Sequence, residues 1–555
     1  MNSFSRRDFL KLTSLGLAGT VLVNLPACAG LGSQRHLENN ASFTHGVASG
    51  DPLADRLILW TRALPEYQAA AVVTLQVSQD PDFTRNVIEK GQLECKPESD
   101  YTLKVDLGGL DPDTVYYYRF LSKNAVTRVG KARTLPVGEK QKVKLLAASC
   151  SFYSAGYFHV YAEMAKHTDA HAVLHLGDYI YEYGPGVYAD KNAKSMNRVM
   201  QPAHELITLA DYRQRYAQTR SDTDLQALHA SLAMIAVWDD HEVTNDTWSD
   251  GAENHSDDEG DFSQRRLAAL QAYSEWMPIR PAVHNDISSI QRRFQFGDLL
   301  NLSMLDTRLE AREQQLDYAQ FTDPQTKVFD AKSFNQALHK PERTLLGQKQ
   351  FVNTVSSFNN ATTWQVLGQQ ILMGEMLLPA PVAGQLISLE EYQAIEHKAS
   401  ENPQQLSETE KTILAQAPIP YNLDAWDGYP QERQRLLKAA QKAKANLVVL
   451  AGDTHNAWCN ELQIDQRTVG IEFATPSVTS PGLEEYVAAT PADEARIVKA
   501  IPGLSYSNMT DRGYLAVSFT HEQVTADWNY VSSVSSKDYQ NLDKRAHSKS
   551  FQRQH

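Results

Sequence analysis

Six times along this chain a short apolar run of strand length stops on residues able to hold a cation or a phosphate. Residues 143–148 end at Ser149-Cys150-Ser151, and residues 172–176 end at Gly177-Asp178, with Tyr181 three positions on. Residues 232–237 end at Trp238-Asp239-Asp240-His241-Glu242, and residues 299–305 end at Asp306-Thr307-Arg308. Residues 364–367 end at Gly368-Gln369-Gln370, and residues 445–450 end at Ala451-Gly452-Asp453-Thr454-His455. Continuous apolar runs separated by helical segments are the signature of buried parallel strands in an α/β layer fold. Right-handed crossovers place the carboxyl ends of such strands on one edge, so strands in one parallel sheet would converge their polar ends on one crevice.

That crevice would gather Cys150, Asp178, Tyr181, Asp240, His241, Asp453 and His455. Taken singly, each has a plain structural reading. Cys150 is a core thiol, Asp240 a helix cap, and either histidine a satisfied core residue. Together they predict a cation, because several partly buried carboxylates repel one another unless a positive charge compensates them. Thiolate and phenolate suit a transition metal, with tyrosine favouring oxidised iron, whereas Asp and Asn oxygens also accept calcium. A carboxylate bridging two metals, most simply Asp178, would form a polynuclear site able to hold an attacking hydroxide and a phosphate oxygen.

The chain has 555 residues, enough for a large domain and a smaller one, and 42% hydrophobic content is ordinary for a globular protein. Its net charge of -14 argues against non-specific nucleic-acid binding. Residues 1–29 carry Ser5-Arg6-Arg7-Asp8-Phe9-Leu10-Lys11 before a weakly apolar stretch, a pattern similar to a twin-arginine export signal read by the twin-arginine translocase. The expected location is the periplasm, the cell surface or the medium, with Cys28 a candidate lipid anchor. Removal of the signal leaves Cys95, Cys150 and Cys459, an odd number that argues against a disulfide framework.

Residues 40–135 alternate short strand-like runs with turns, and predict a small all-β sandwich of immunoglobulin or fibronectin type. Within it the 108–118 stretch resembles a corner where a tyrosine pins the sheet. Residues 135–142 read as a linker, 142–535 as the α/β catalytic domain, and 536–555 as a surface helix or frayed tail. Residues 388–416 read as an inserted helical segment, either a cap over the crevice or a surface decoration. Arg62 and His175 read as structural.

The blocks Gly177-Asp178-Tyr179-Ile180-Tyr181, Asp240-His241-Glu242 and Gly452-Asp453-Thr454-His455 resemble those of calcineurin-like metallophosphoesterases, and more closely the PhoD-like alkaline phosphatases. His45-Gly46-Val47-Ala48-Ser49-Gly50-Asp51-Pro52, Leu59-Trp60-Thr61-Arg62 and Asp424-Ala425-Trp426-Asp427-Gly428 extend the likeness across most of the chain. The resemblance implies a layered α/β metallophosphoesterase domain behind the all-β domain, holding one iron(III) with one or two calcium ions. It implies hydrolysis of small phosphate monoesters or diesters by a metal-activated hydroxide. The metal ligands carried over are Cys150, Asp178, Tyr181, Asp240, Asp453 and His455, and Asn245 is added because it follows the Asp-His-Glu block closely. His241 is assigned to the leaving group or to substrate orientation, and Arg308 to the phosphoryl oxygens. The broad family's lone histidine is replaced here by Gly368-Gln369-Gln370, which shifts the second metal toward an oxygen-liganded ion. The competing readings are a phospholipase D-like phosphodiesterase on lipid headgroups and a non-catalytic exported binding protein.

Overall fold

A computed structural model describes residues 20–23 and 39–555, apart from 68, 282–285, 324, 326–328, 360, 384–385 and 486–488. The export-signal segment, including Cys28, lies outside the described residues except for Thr20–Val23. That strand runs parallel along the edge of Thr102–Gly108.

The site-bearing strands are β1 (Val143–Ala148), β2 (Ala172–His175), β3 (Met234–Ala236), β4 (Leu300–Met304), β5 (Trp364–Gly368) and β6 (Leu447–Ala451). Nearly every residue in them is buried, as the unbroken apolar runs require. The expectation of one parallel sheet is corrected, since the strands divide between two. In the first, β1, β2 and β3 are mutually parallel. In the second, β4, β5 and β6 are parallel and continue into Arg467–Ala474. The two sheets share one apolar core, in which Leu145, Leu174 and Ile235 of one meet Leu302, Val366 and Val448 of the other. Helices cover the outer faces. Pro430–Ala443, for example, buries Leu436 and Leu437 against Leu367 and Val449.

The polar ends still converge, because the sheets are stitched at that rim. Val478 N–H donates to the Ser149 carbonyl at 3.0 Å, and Gln370 Nε2 donates to the Trp238 carbonyl at 2.6 Å. Thr475 Oγ1 donates to the Ala147 carbonyl at 3.1 Å.

The N-terminal region is a two-layer antiparallel unit. One layer runs Gly130–Arg133, Val115–Leu121, Ala71–Ser78, Ile88–Cys95 in spatial order. The other contains Val47–Gly50, Arg56–Arg62 and Thr102–Gly108. Tyr116 Oη accepts a hydrogen bond from Asp111 N–H at 2.9 Å, the pin expected of the corner. Arg62 is structural, bonding Asp100. The second layer does not stop at a linker, however: Gly50 pairs with Met234 of β3, so it extends the first catalytic sheet.

The tail also differs from the expectation. His547–Gln552 is an edge strand antiparallel to Gln523–Val531, not a helix or frayed end. Its alternating half-buried and exposed pattern has the period of a strand. Residues 389–401 and 408–414 are helices started by Ser388 and Ser407 capping boxes, and neither helix has a buried residue.

Candidate metal centre and active site

Three of the six strand ends turn sharply. Cys150, Asp178, Asp453 and His455 lie in the left-handed region, with φ of 59°, 55°, 65° and 63°. Such a conformation costs a non-glycine residue about 1–3 kcal/mol, and it is tolerated here where side chains must be aimed at one point. Gly177 enables the approach: a Cβ there would stand 2.3 Å from Asp239 Cβ. The turns are laced together by Cys150 N–H to the Gly177 carbonyl (3.2 Å) and Ser151 N–H to the Asp178 carbonyl (2.8 Å).

Among the described residues, three overlapping groups could hold cations, each with ligand atoms within 4.8 Å of one another: Cys150, Asp178 and His455; Asp178, Asp240 and His241; and Asp239, Asp240 and Asp453. Asp178 belongs to the first two and Asp240 to the last two, so the geometry is that of a chain of sites with shared carboxylates. Asp178 Oδ2 accepts from Tyr181 Oη at 3.1 Å, while its buried Oδ1 has no hydrogen-bond partner. Tyr181 Oη also receives Ser480 Oγ at 2.7 Å and lies 3.3 Å from His455 Nε2.

The histidine tautomers follow from their partners. His455 Nδ1 is 2.6 Å from the Pro481 carbonyl, which can only accept, so Nδ1 carries the proton and Nε2 turns a lone pair to the cluster. His241 Nδ1 bonds Glu182 Oε2 at 2.7 Å, the carboxylate–histidine arrangement that orients an imidazole toward a cation.

Charge tells the same story. Burial pushes the Asp178 and Asp453 carboxyls well above the usual range and Asp239 up to about 7. Burial, reinforced by the Asp178 charge, also pushes the Cys150 thiol and Tyr181 phenol well above their ordinary values. Burial acts on Asp240 too, but Arg308, His241 and the backbone N–H groups of Asp246 and His241 outweigh it and hold that carboxyl low. For His241 burial is likewise outweighed, by Asp240, Glu182 and Asp178, so its pKa stands well above normal. Burial takes His455 down to about 3. Without a cation, protons on these carboxyls must offset the charge. Sulfur, phenol, imidazole and carboxylate donors, with unpaired buried oxygens on Asp178 and Asp239, fit metal cations.

Two expected roles are corrected. Arg308, expected at the phosphoryl oxygens, is fully buried and spends its guanidinium on carboxylates. Its guanidinium bonds Asp239 at 2.5 Å, Asp424 at 2.7 Å and Asp453 at 3.3 Å, with Asp240 at 3.7 Å. It restrains carboxylate repulsion from behind the cluster. Asn245 turns its side-chain amide to Glu253 at 3.1 Å, and only its backbone N–H joins the site by donating to Glu182. His241, which the sequence reading had protonating the leaving group or orienting the substrate, lies beside Asp178 and Asp240. Gln370 is a structural tie, its amide donating to the Trp238 and Leu305 carbonyls. His175 is core, bonded to Tyr161 Oη at 2.8 Å.

Sequence reasoning passed over Glu182 and Glu242. Glu242 accepts backbone N–H groups of Asp178 (3.0 Å), Tyr179 (2.5 Å) and Asp239 (2.6 Å), clamping two ligand loops with one carboxylate. Their signal was adjacency to Tyr181 and His241, but only the fold shows which backbone groups they hold.

A crevice at the carboxyl ends of two stacked α/β sheets is lined by carboxylates, thiol, phenol and oriented imidazoles, a donor set that could hold metal cations. Residues 145–528 match the PhoD-like phosphatase family and residues 30–136 match its N-terminal domain. The chain belongs to the PhoD-like phosphatases. It is 34% identical to "Alkaline phosphatase D" of Bacillus subtilis (strain 168), over 96% of this chain and 85% of that protein. A solved structure described as "Structure of PhoD" superposes with a TM-score of 0.74 at 32% identity, covering 95% of this chain and 92% of that one. The chain is a hydrolase of phosphoric ester bonds, and the reading as a non-catalytic binding protein falls.

Proposed function

We propose that this protein is an exported, metal-dependent phosphoesterase acting on phosphate monoesters and diesters with iron and calcium. The observation that carries the metal dependence is Asp178: it is shared by two candidate cation groups, fully buried, and retains an oxygen with no partner. Cys150, Asp178, Tyr181 and His455 would hold the iron, and Asp178, Asp240 and Asp453 the calcium side, with His241 beside them to protonate the leaving group or orient the substrate. When bound, such ions lower the pKa of water and neutralise phosphoryl oxygens.

The chain's own residues set the stage for that chemistry. Glu182 keeps the proton on His241 Nδ1, and Pro481 keeps one on His455 Nδ1, so both Nε2 atoms face inward. Glu242 fixes the Asp178 and Asp239 loops in one position. Arg308 offsets part of the carboxylate charge from behind, which lowers the repulsion a phosphate meets on entry. The twin-arginine-like N-terminus supports export by the twin-arginine translocase, with Cys28 as a possible point of lipid attachment.

Metal analysis of purified protein, with mono- and diester assays of the wild type, Cys150→Ala and Asp178→Asn, tests this reading. Iron and calcium together with ester cleavage are expected. Full activity in both variants would overturn it.

A further inference from the structure

The loop leaving the cluster reads Tyr183-Gly184-Pro185-Gly186-Val187-Tyr188-Ala189, without a charged residue in a protein of net charge -14. Tyr183 and Tyr188 are half-buried, and Val187 between them is 68% exposed. Both tyrosines touch the site directly. The Tyr183 ring lies 5.3 Å from the His241 ring, and Tyr188 Oη lies 3.4 Å from His455 Nδ1. They also pack on one another, with centroids 5.5 Å apart, and Tyr188 stacks on Tyr181 and leans on Phe152.

The backbone beneath is fixed. Buried Arg215, from helix Leu209–Arg220, donates to the carbonyls of Tyr181 and Tyr183. The nearby cation Lys191 is engaged with Glu485 at 2.5 Å.

We propose that Tyr183 and Tyr188 form a specificity subsite beside the metal cluster, which stacks the flat aromatic substituent of an aryl or nucleoside phosphoester. This deepens the phosphoesterase reading above and rests on it. An anchored aromatic pair has little freedom to lose on binding, and every aryl or base substituent presents a π face to it. Aliphatic esters, with no such face, gain less from the same wall.

The test compares inhibition of the metal-loaded enzyme by phenylphosphonate and methylphosphonate, which share the phosphoryl headgroup and have no leaving group. Wild type should bind the phenyl compound about tenfold more tightly or better. Tyr183→Leu and Tyr188→Leu should reduce that ratio toward one, whereas Tyr188→Phe should retain it. Equal inhibition of wild type by the two compounds, or proportional weakening of both in the leucine variants, overturns the subsite. Should Tyr188→Leu not fold, the wild-type ratio and Tyr183→Leu decide the matter. Ester cleavage with equal inhibition overturns the subsite alone, whereas a metal-loaded protein that cleaves no ester and binds neither phosphonate overturns the phosphoesterase reading with it.

Discussion

Two buried charge networks sit a few strands apart in this protein, and they are balanced in opposite directions. At the junction of the N-terminal layer with the catalytic sheet, Asp51 and Asp106 face Arg280, Arg292, Arg56 and Lys104. Arg292 meets Asp51 at 2.5 Å and donates to the Ala236 carbonyl at the end of β3. In the crevice, Asp178, Asp239, Asp240, Asp424, Asp453 and Glu182 face Arg308, Arg312 and His241. Asp51 also has an unpaired buried oxygen, so an orphan acceptor does not by itself distinguish a site. Charge balance does. The junction brings its own cations and is complete as a structural lock, whereas the crevice carries an excess of negative charge that folding alone would not tolerate.

Breaking the crevice should have the largest effect. Asp178→Asn removes the shared carboxylate and is expected to lower kcat/KM by more than about a hundredfold while reducing bound metal, checked by steady-state kinetics with elemental analysis. Glu182→Gln weakens the hold on His241 through Oε2, while an amide oxygen at the other position can still accept from Asn245 N–H and Asn254 Nδ2. A loss of about 10–100-fold is expected, with weaker metal retention measured by competition with a chelator.

Asp51→Asn strikes the junction instead. It should destabilise the fold by about 3 kcal/mol in denaturant unfolding, because Arg292 loses its buried partner. The kcat of the folded enzyme should change by less than about twofold. A collapse of kcat would show that the two networks are one.

The smallest expected effect is a pH dependence of opposite sign in the two regions, read from thermal unfolding of metal-stripped protein. Asp239 rises on folding from 3.8 to about 7 through burial, so the native state binds the extra proton. Its contribution is fully present below about pH 4 and is lost as pH rises through about 7. Lys104 is lowered by burial from 10.5 to about 8, so the native state binds fewer protons between those values. Stability should therefore recover as pH rises from about 8 toward 10.5. Loading the crevice with metal should abolish the first slope and leave the second.

Much of the site was legible before the fold was seen. Cys150, Asp178, Tyr181, Asp240, Asp453 and His455 follow apolar runs directly, and strand continuity carries such residues to a sheet edge. Arg308 was misread because its position after β4 gave no sign that Asp239, Asp424 and Asp453 would surround it, residues 69, 116 and 145 positions away. Asn245 was misread because nearness in sequence says nothing of where a loop amide turns.

The sequence by itself determined the strands, the polar ends they carry and the family, since these rest on local periodicity and contiguous blocks. Only the tertiary structure decided that two sheets share the site, that the N-terminal layer continues one of them, and that the tail closes its edge as a strand. It also decided which carboxylates are paired with a cationic side chain and which are not. The physical reason is that charge compensation is a short-range, three-dimensional property: Arg308 neutralises what lies within about 4 Å of it, however distant in the chain.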